Sequence, residues 1–232
     1  MAIAPFLAMT AAEIRANPEF CGPIGWMACH FSPYGTGLSN LPRQLPEGSL
    51  LILNDRTPWW NHDAALIVEQ LAERIENLGC HGLLLDFQRP GVAEVAHLAG
   101  FLTEQLNCPV GVAEAYAGNL ECPVFLPPVP LHQTVAEYLL PWQEREIWLE
   151  LALDAEEIQL TPTGSAISAL PFPPAHKAAH HDNTLHCSYS IHPEENSASF
   201  TLSRAKEDIR SLLEEAANYG VTTAIGLWQE LG

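Results

Sequence analysis

The stretch HGLLLDFQRP, residues 81 to 90, ends an apolar run of three leucines in an acid, an aromatic, an amide and a base. A strand that serves only packing needs none of these. A carboxylate and an amide two residues apart, Asp86 and Gln88, are groups that bind sugar hydroxyls, and aromatic faces stack on the apolar side of a sugar ring. Other strand ends offer the same chemistry. His30 and Tyr34 follow one apolar run, Asn54, Asp55, Trp59 and Trp60 a second, Glu114 and Tyr116 a fourth, and Trp228 and Glu230 stand at the last. Asp86, Gln88 and Glu114 are the candidate catalytic residues, with Glu114 as acid or base and Asp86 as its partner. Tyr116, Trp228, Trp59, Asp55 and Trp26 are the candidate ligand-binding residues. Each also has a structural reading. The Trp59-Trp60 pair anchors a loop, Trp228 fills core, Asp86 caps a helix or pairs with Arg89, and Glu114 is an exposed strand-end acid.

The elements that must position these residues alternate between strand and helix signals, the mark of βα units and a parallel sheet. IGWMACHF (24 to 31) reads as the first strand, followed by a long Pro- and Gly-rich loop. SLLILN (49 to 54) is the second, and GLLLDF the third, a continuous apolar run of the kind buried on both faces. Between them, Ala64, Ile67, Val68, Leu71 and Ile75 recur at helical spacing up to the stop signal Gly79. A helix over 91 to 107 and the strand PVGVAEAY (109 to 116) come next. A short strand at 122 to 127, a helix over 133 to 140 that Pro141 ends, and a strand at 146 to 153 follow.

Residues 161 to 202 read as an irregular connection and an antiparallel hairpin. An amphipathic helix from 203 to 219 then leads into the closing strand VTTAIGLW. The expected architecture is a single α/β domain over 1–232, a (β/α)8-type TIM barrel with one βα unit irregular or missing and a C-terminal hairpin insertion. Residues 1–20 are expected to form an N-terminal extension. In such barrels functional side chains sit at the carboxyl ends of the strands.

Composition narrows the partners. The 28 acids outnumber 10 Lys and Arg, for a formal net charge of −18. Such a surface repels phosphate backbones and anionic lipid, which argues against nucleic acid and membranes as partners. No apolar run approaches the roughly 18 residues of a spanning helix, and the N-terminus has no basic region of a secretion signal. A cytoplasmic protein is expected. The six cysteines are scattered without a CxxC pair and read as buried free thiols. His176, His180, His181, His186 and Cys187 include an i, i+4 histidine pair, but no zincin-type Glu stands between them, so a solvated loop is expected and no metal. No cofactor is expected, and nothing in the sequence specifies an oligomeric state.

The passage from Asp63 to Pro90 resembles the third helix and fourth strand of family 18 glycoside hydrolases, the chitinase family, whose strand has the form DGxDxDxE. On that pattern Gly82, Asp86 and Pro90 match, Gln88 stands where the family has its catalytic Glu, and His81 and Leu84 replace the two earlier acids. SLLILND is similar to the preceding strand. The hairpin, the helix with Lys206 and the strand AIGLWQEL resemble the closing segment, where a Trp forms the floor of the sugar subsite, here Trp228. On the resemblance, one β-strand unit between the first two strands, 24 to 31 and 49 to 54, is absent here. It implies that a Glu would protonate the leaving oxygen while the neighbouring Asp steadies the substrate's N-acetyl group. With Gln88 in that place, three readings stand open. One is a catalytically silent barrel that binds an oligosaccharide through Asp86, Gln88, Trp228 and the Trp59-Trp60 loop. Another is an active glycosidase with relocated carboxylates, Glu114 and Asp86. The last is a scaffold for protein contact, its cleft filled by its own side chains.

Overall fold

The computed structural model describes residues 3–59, 62–89, 91–174 and 178–232. Trp60, Pro90 and His176, which figure in the expectations above, lie outside the described residues. The described chain divides into two compact units. One holds residues 4–126, 145–150 and 222–232, and the other residues 127–144 and 151–221.

The first unit begins with a strand that the sequence reading missed, β1 (Phe6–Met9), followed by the short helix α1 (Ala11–Ala16). Next come β2 (Ile24–Phe31), the two-residue β3 (Leu38–Ser39) that folds back antiparallel on β2, and β4 (Leu50–Asn54). Helix α2 (Ala64–Leu78) leads to β5 (Gly82–Asp86), and α3 (Ala93–Gln105) to β6 (Val110–Ala113). A single helical turn, α4 (Glu114–Ala117), precedes β7 (Val124–Leu126). In the other unit α5 (Val135–Leu139) follows, and the chain returns through β8 (Ile147–Leu151).

Eight of these strands close on themselves in the order β1, β2, β4, β5, β6, β7, β8 and a last strand, β14 (Val221–Leu227), with β1 pairing parallel to both β2 and β14. The barrel therefore lacks no strand. What the N-terminal extension was expected to be contains the first one, and the irregular unit is the β2–β4 connection, which carries β3 where a helix would be. The short strand FLAM has a four-residue apolar run that gives little periodic signal. The helix after it, read only as part of the extension, opens on a capping box of Thr10 and Glu13, with the Glu13 carboxylate accepting from the Thr10 N–H at 2.7 Å.

The core-facing helix pattern held. Asp63 caps α2 through the N–H groups of Ala65 and Leu66, Ile67, Leu71 and Ile75 are buried one turn apart, and Gly79 ends the helix at φ 59°. The barrel interior is filled by Leu50, Ile52, Leu84, Phe125, Trp148 and Ile225. Leu84, which stands where the chitinase strand pattern has an acid, is 1% exposed in that core. Trp148 is fully buried and lies over Gly111, where an added Cβ would come within 2.3 Å of its ring. A glycine is required there because the indole occupies the space a side chain would take.

The second unit carries an antiparallel sheet of five strands where a hairpin was expected. Its members are β9 (Ala155–Thr161), β10 (Gly164–Leu170), β11 (His180–Asp182), β12 (Cys187–Pro193) and β13 (Ala198–Ser203), in spatial order β10, β9, β13, β12, β11. Helix α6 (Lys206–Ala216) follows, and the last turn of the chain, α7 (Trp228–Leu231), belongs to the barrel unit. Leu131, Cys187 and Leu202 form the small core of the second unit. Arg204, 2% exposed, donates from its guanidinium to the carbonyls of Val129 and of the adjacent Leu185 and His186, and so ties two backbone segments to its own.

Among the described residues no helix is long and apolar enough to cross a membrane, and no group of three or more His, Cys, Asp or Glu is arranged to hold a metal ion.

Candidate functional site

The parallel register sets Asn54, the last residue of β4, directly beside Asp86, the last residue of β5. Both side chains reach the carboxyl end of the barrel. Beyond them, a cavity of about 530 Å³ opens among the loops that follow β1, β2, β4 and β5. Its polar walls are His30, Asn54, Asp86, Gln88, Arg56 and Arg89, with Met27 and Ile52 at its apolar base.

The loops are held in place by side chain to backbone bonds. Asp55, 6% exposed, accepts the Gln88 N–H at 3.1 Å on one oxygen and the Arg89 N–H at 2.8 Å on the other. Asn54 donates from its amide to the Met27 carbonyl at 3.0 Å and accepts the Arg56 N–H at 3.1 Å. The Arg89 guanidinium donates to the Arg56 carbonyl at 2.9 Å, joining the β4 and β5 loops a second time. Behind the cavity an aromatic row braces the same loops. Phe87, 1% exposed, stacks on Phe31 and meets Tyr116 edge to face, and Trp59 packs edge to face on Phe31. The Tyr116 hydroxyl donates to the Arg89 carbonyl.

Asp55 is therefore a loop brace whose two oxygens are both engaged. Asp55→Ala leaves two backbone amides without their acceptor and removes charge-assisted bonds worth ~1.5–3 kcal/mol each, less what water recovers. We expect a loss of about 2–4 kcal/mol of unfolding free energy, read from urea midpoints. An unchanged midpoint would show that the loop is held by other contacts.

At the mouth of the cavity the Gln88 side-chain amide donates from Nε2 to Asp86 Oδ1. Gln88 is exposed and Asp86 half-buried. Burial pushes the Asp86 carboxyl above its ordinary pKa. The Gln88 hydrogen bond pulls it down, and the charge of Asp55 adds to the rise. None of the described residues bonds to Asp86 Oδ2, to Gln88 Oε1 or to the Arg56 guanidinium, and all three residues line the cavity, so each has hydrogen-bonding capacity left for a ligand.

The candidates from sequence thus divide. Asp86, Gln88 and Asp55 come together around the cavity. Trp26 stands next to it, half-buried, with its indole N–H donated at 2.9 Å to the carbonyl of Asn40, a wall residue. Glu114 is exposed at the start of α4 and is not among the cavity's described walls. Tyr116 and Trp59 are not among those walls, and they pack against Phe87 and Phe31 respectively. Trp228 begins α7, half-buried and edge to face with Phe20, and is not among those walls either. Tyr34 is 98% exposed. The residues that sequence reasoning passed over are Arg56 and Arg89. Arg89 was weighed only as a partner for Asp86, yet it sits one residue past the amide in DFQRP, as Arg56 sits one past Asp55 in NDRTP, and both positions were legible as strand-end polarity.

No protein-family model matches the sequence, and no curated protein does. Solved structures do match in fold. The spore cortex-lytic enzyme SleL of Bacillus cereus is 11% identical, the match covering 100% of this chain and 72% of that one at a TM-score of 0.59. A glutamate-to-glutamine mutant of the class V chitinase from Nicotiana tobaccum, in complex with NAG4, is 10% identical, with 98% and 94% covered and a TM-score of 0.57. The chitinase-like agglutinin RobpsCRA from Robinia pseudoacacia is 13% identical, with 97% and 95% covered and a TM-score of 0.53. At such identities the similarity is one of fold. The chain has a chitinase-like eight-stranded parallel barrel with an added antiparallel sheet.

Proposed function

We propose that the barrel binds an oligosaccharide in the cavity at Asp86 and Gln88 and does not hydrolyse it. The observation that carries this reading is the Gln88 to Asp86 hydrogen bond at the cavity mouth. An amide donates hydrogen bonds but holds no proton it can transfer to a leaving oxygen, so the step that general acid catalysis accelerates by roughly 10²–10⁴ has no donor at that position. The same amide and the free Asp86 oxygen remain suited to sugar hydroxyls or an N-acetyl N–H. That one fold neighbour is a chitinase in complex with NAG4 and another a chitinase-like agglutinin supports an oligosaccharide as the ligand class.

A second reading is favoured by the raised Asp86 carboxyl, because a carboxyl kept protonated nearer neutrality can serve as an acid. On that reading the barrel is a slow glycosidase. The relocated pair with Glu114 gains no support from an acid that stands outside the described walls. An open cavity of about 530 Å³ weighs against the pure scaffold, which was expected to have a filled cleft.

Calorimetric titration with a chitin tetrasaccharide, run beside chromatography of the sugar, separates the readings. We expect micromolar binding, weakened about 10-fold in Gln88→Ala by loss of one to two hydrogen bonds, and no shorter sugars after prolonged incubation. Accumulating shorter sugars would favour the glycosidase. Absence of heat with the wild-type protein would remove the chitin-type ligand.

A further inference from the structure

Charge is distributed unevenly between this cavity and the rest of the chain. The whole sequence has 28 acids against 10 Lys and Arg, whereas the cavity walls hold two of those arginines, Arg56 and Arg89, against two acids, Asp55 and Asp86. One of the acids is already committed, since both Asp55 oxygens receive backbone N–H groups. The two arginines are fixed at their backbones, Arg56 by Asn54 and Arg89 by Asp55, and they adjoin each other through the Arg89 to Arg56 carbonyl bond. Among the described residues neither guanidinium has a carboxylate partner, although the chain has carboxylates in excess. Backbones held in place with unneutralised, exposed heads are the arrangement of a clamp for an anion, because a guanidinium matches a carboxylate with two parallel N–H donors.

We propose that the glycan bound in this cavity carries a carboxylate, as a uronic acid or an acid-substituted amino sugar does, and that Arg56 and Arg89 receive it. The inference rests on the glycan-binding reading above and adds the class of sugar. Asp86 lies in the same cavity and repels a second anion, so the carboxylate sits on the arginine side while the neutral ring faces Asp86 and Gln88. Outside the cavity, the net charge of −18 disfavours approach of any anionic sugar. The clamp therefore selects at short range, with an affinity that falls as salt screens the pair.

The test compares two ligands of one length and linkage, a chitin tetrasaccharide and the same tetrasaccharide with its terminal C6 hydroxyl oxidised to a carboxylate. Both are titrated into the full chain at low and high salt. The expected result is about 10- to 100-fold tighter binding of the oxidised sugar, the range of a charge-assisted bidentate pair. The advantage, read as the ratio of the two affinities within each protein, should shrink at high salt and fall to one in Arg56→Gln with Arg89→Gln, whatever that variant does to the neutral sugar's own affinity. Both residues are exposed, and a wild-type circular dichroism spectrum with a cooperative melt shows that the variant folds even without the Arg89 to Arg56 carbonyl bond. Equal affinities, or an advantage that survives the double substitution, would overturn the clamp and leave glycan binding standing. If neither sugar binds, the glycan reading fails, and the clamp with it.

Discussion

Gln88→Glu is expected to gain hydrolysis of a chitin oligosaccharide, by roughly 10²–10⁴ over the wild-type background, the factor a positioned general acid supplies. The side chain is exposed and differs from glutamate by one atom type, so the exchange needs no repacking. Its amide already reaches Asp86, which means a carboxyl introduced there lies within hydrogen-bond distance of a second one. Two carboxyls so close cannot both ionise readily, and one of them takes up a proton at a pH where an isolated acid has lost it. That shared proton is what a leaving oxygen requires. The gained activity should therefore be present on the acidic side and decline as pH rises through the raised pKa of the pair. Asp86→Asn placed in the same variant should return the rate to background. The measurement is product release from a chromogenic chitobioside across pH. Binding retained with no product at any pH would mean that the cavity holds its sugar with the glycosidic oxygen away from residue 88.

What the sequence revealed of this molecule follows from how local each signal is. The run GLLLD and the caps of α2 are encoded within a few neighbouring residues, and Asp86 and Gln88 came out where a barrel strand would put them. The missed strand β1 has only four residues, too few for periodicity, and overlooking it created an apparent gap in a barrel that is closed. The strand pair β9 and β10 was passed over because GSAISAL is small at every position but Ile167 and Leu170 and exposed along nearly its whole length, so no alternation marks it. Glu114 and Tyr116 were read as part of a strand over 109 to 116, whereas the strand stops at Ala113, a helical turn begins at once, and neither residue is among the described cavity walls. Among the described tryptophans, the one in the barrel's buried core is Trp148, whose burial depends on the missing side chain of Gly111, a contact across 37 residues that no local pattern announces. The role of Asp55 is of the same kind, since its acceptors serve amides 33 and 34 residues away.

Asp86→Asn should separate what the carboxylate does for binding from what it does to stability. Burial raises the pKa of Asp86 in the folded protein above its value in the unfolded chain. The folded state therefore holds the proton more tightly. The favourable contribution of this group is complete below the ordinary carboxylate pKa of about 3.9 and is lost as pH climbs through the raised value. At neutral pH the ionised Asp86 is a net burden on the fold. An asparagine keeps the oxygen that accepts the Gln88 hydrogen bond and has no charge to desolvate, so the variant should melt higher than the wild type at pH 7, with the difference vanishing near pH 3. The same exchange removes the anionic oxygen that Asp86 has free for a ligand, and affinity for a chitin tetrasaccharide should fall about 10- to 100-fold, the weight of a charged hydrogen bond. Stability gained together with affinity lost is the behaviour of a charge retained for a ligand at the fold's expense. A variant that melts lower at pH 7 and binds as well as the wild type would instead place Asp86 among the braces, beside Asp55.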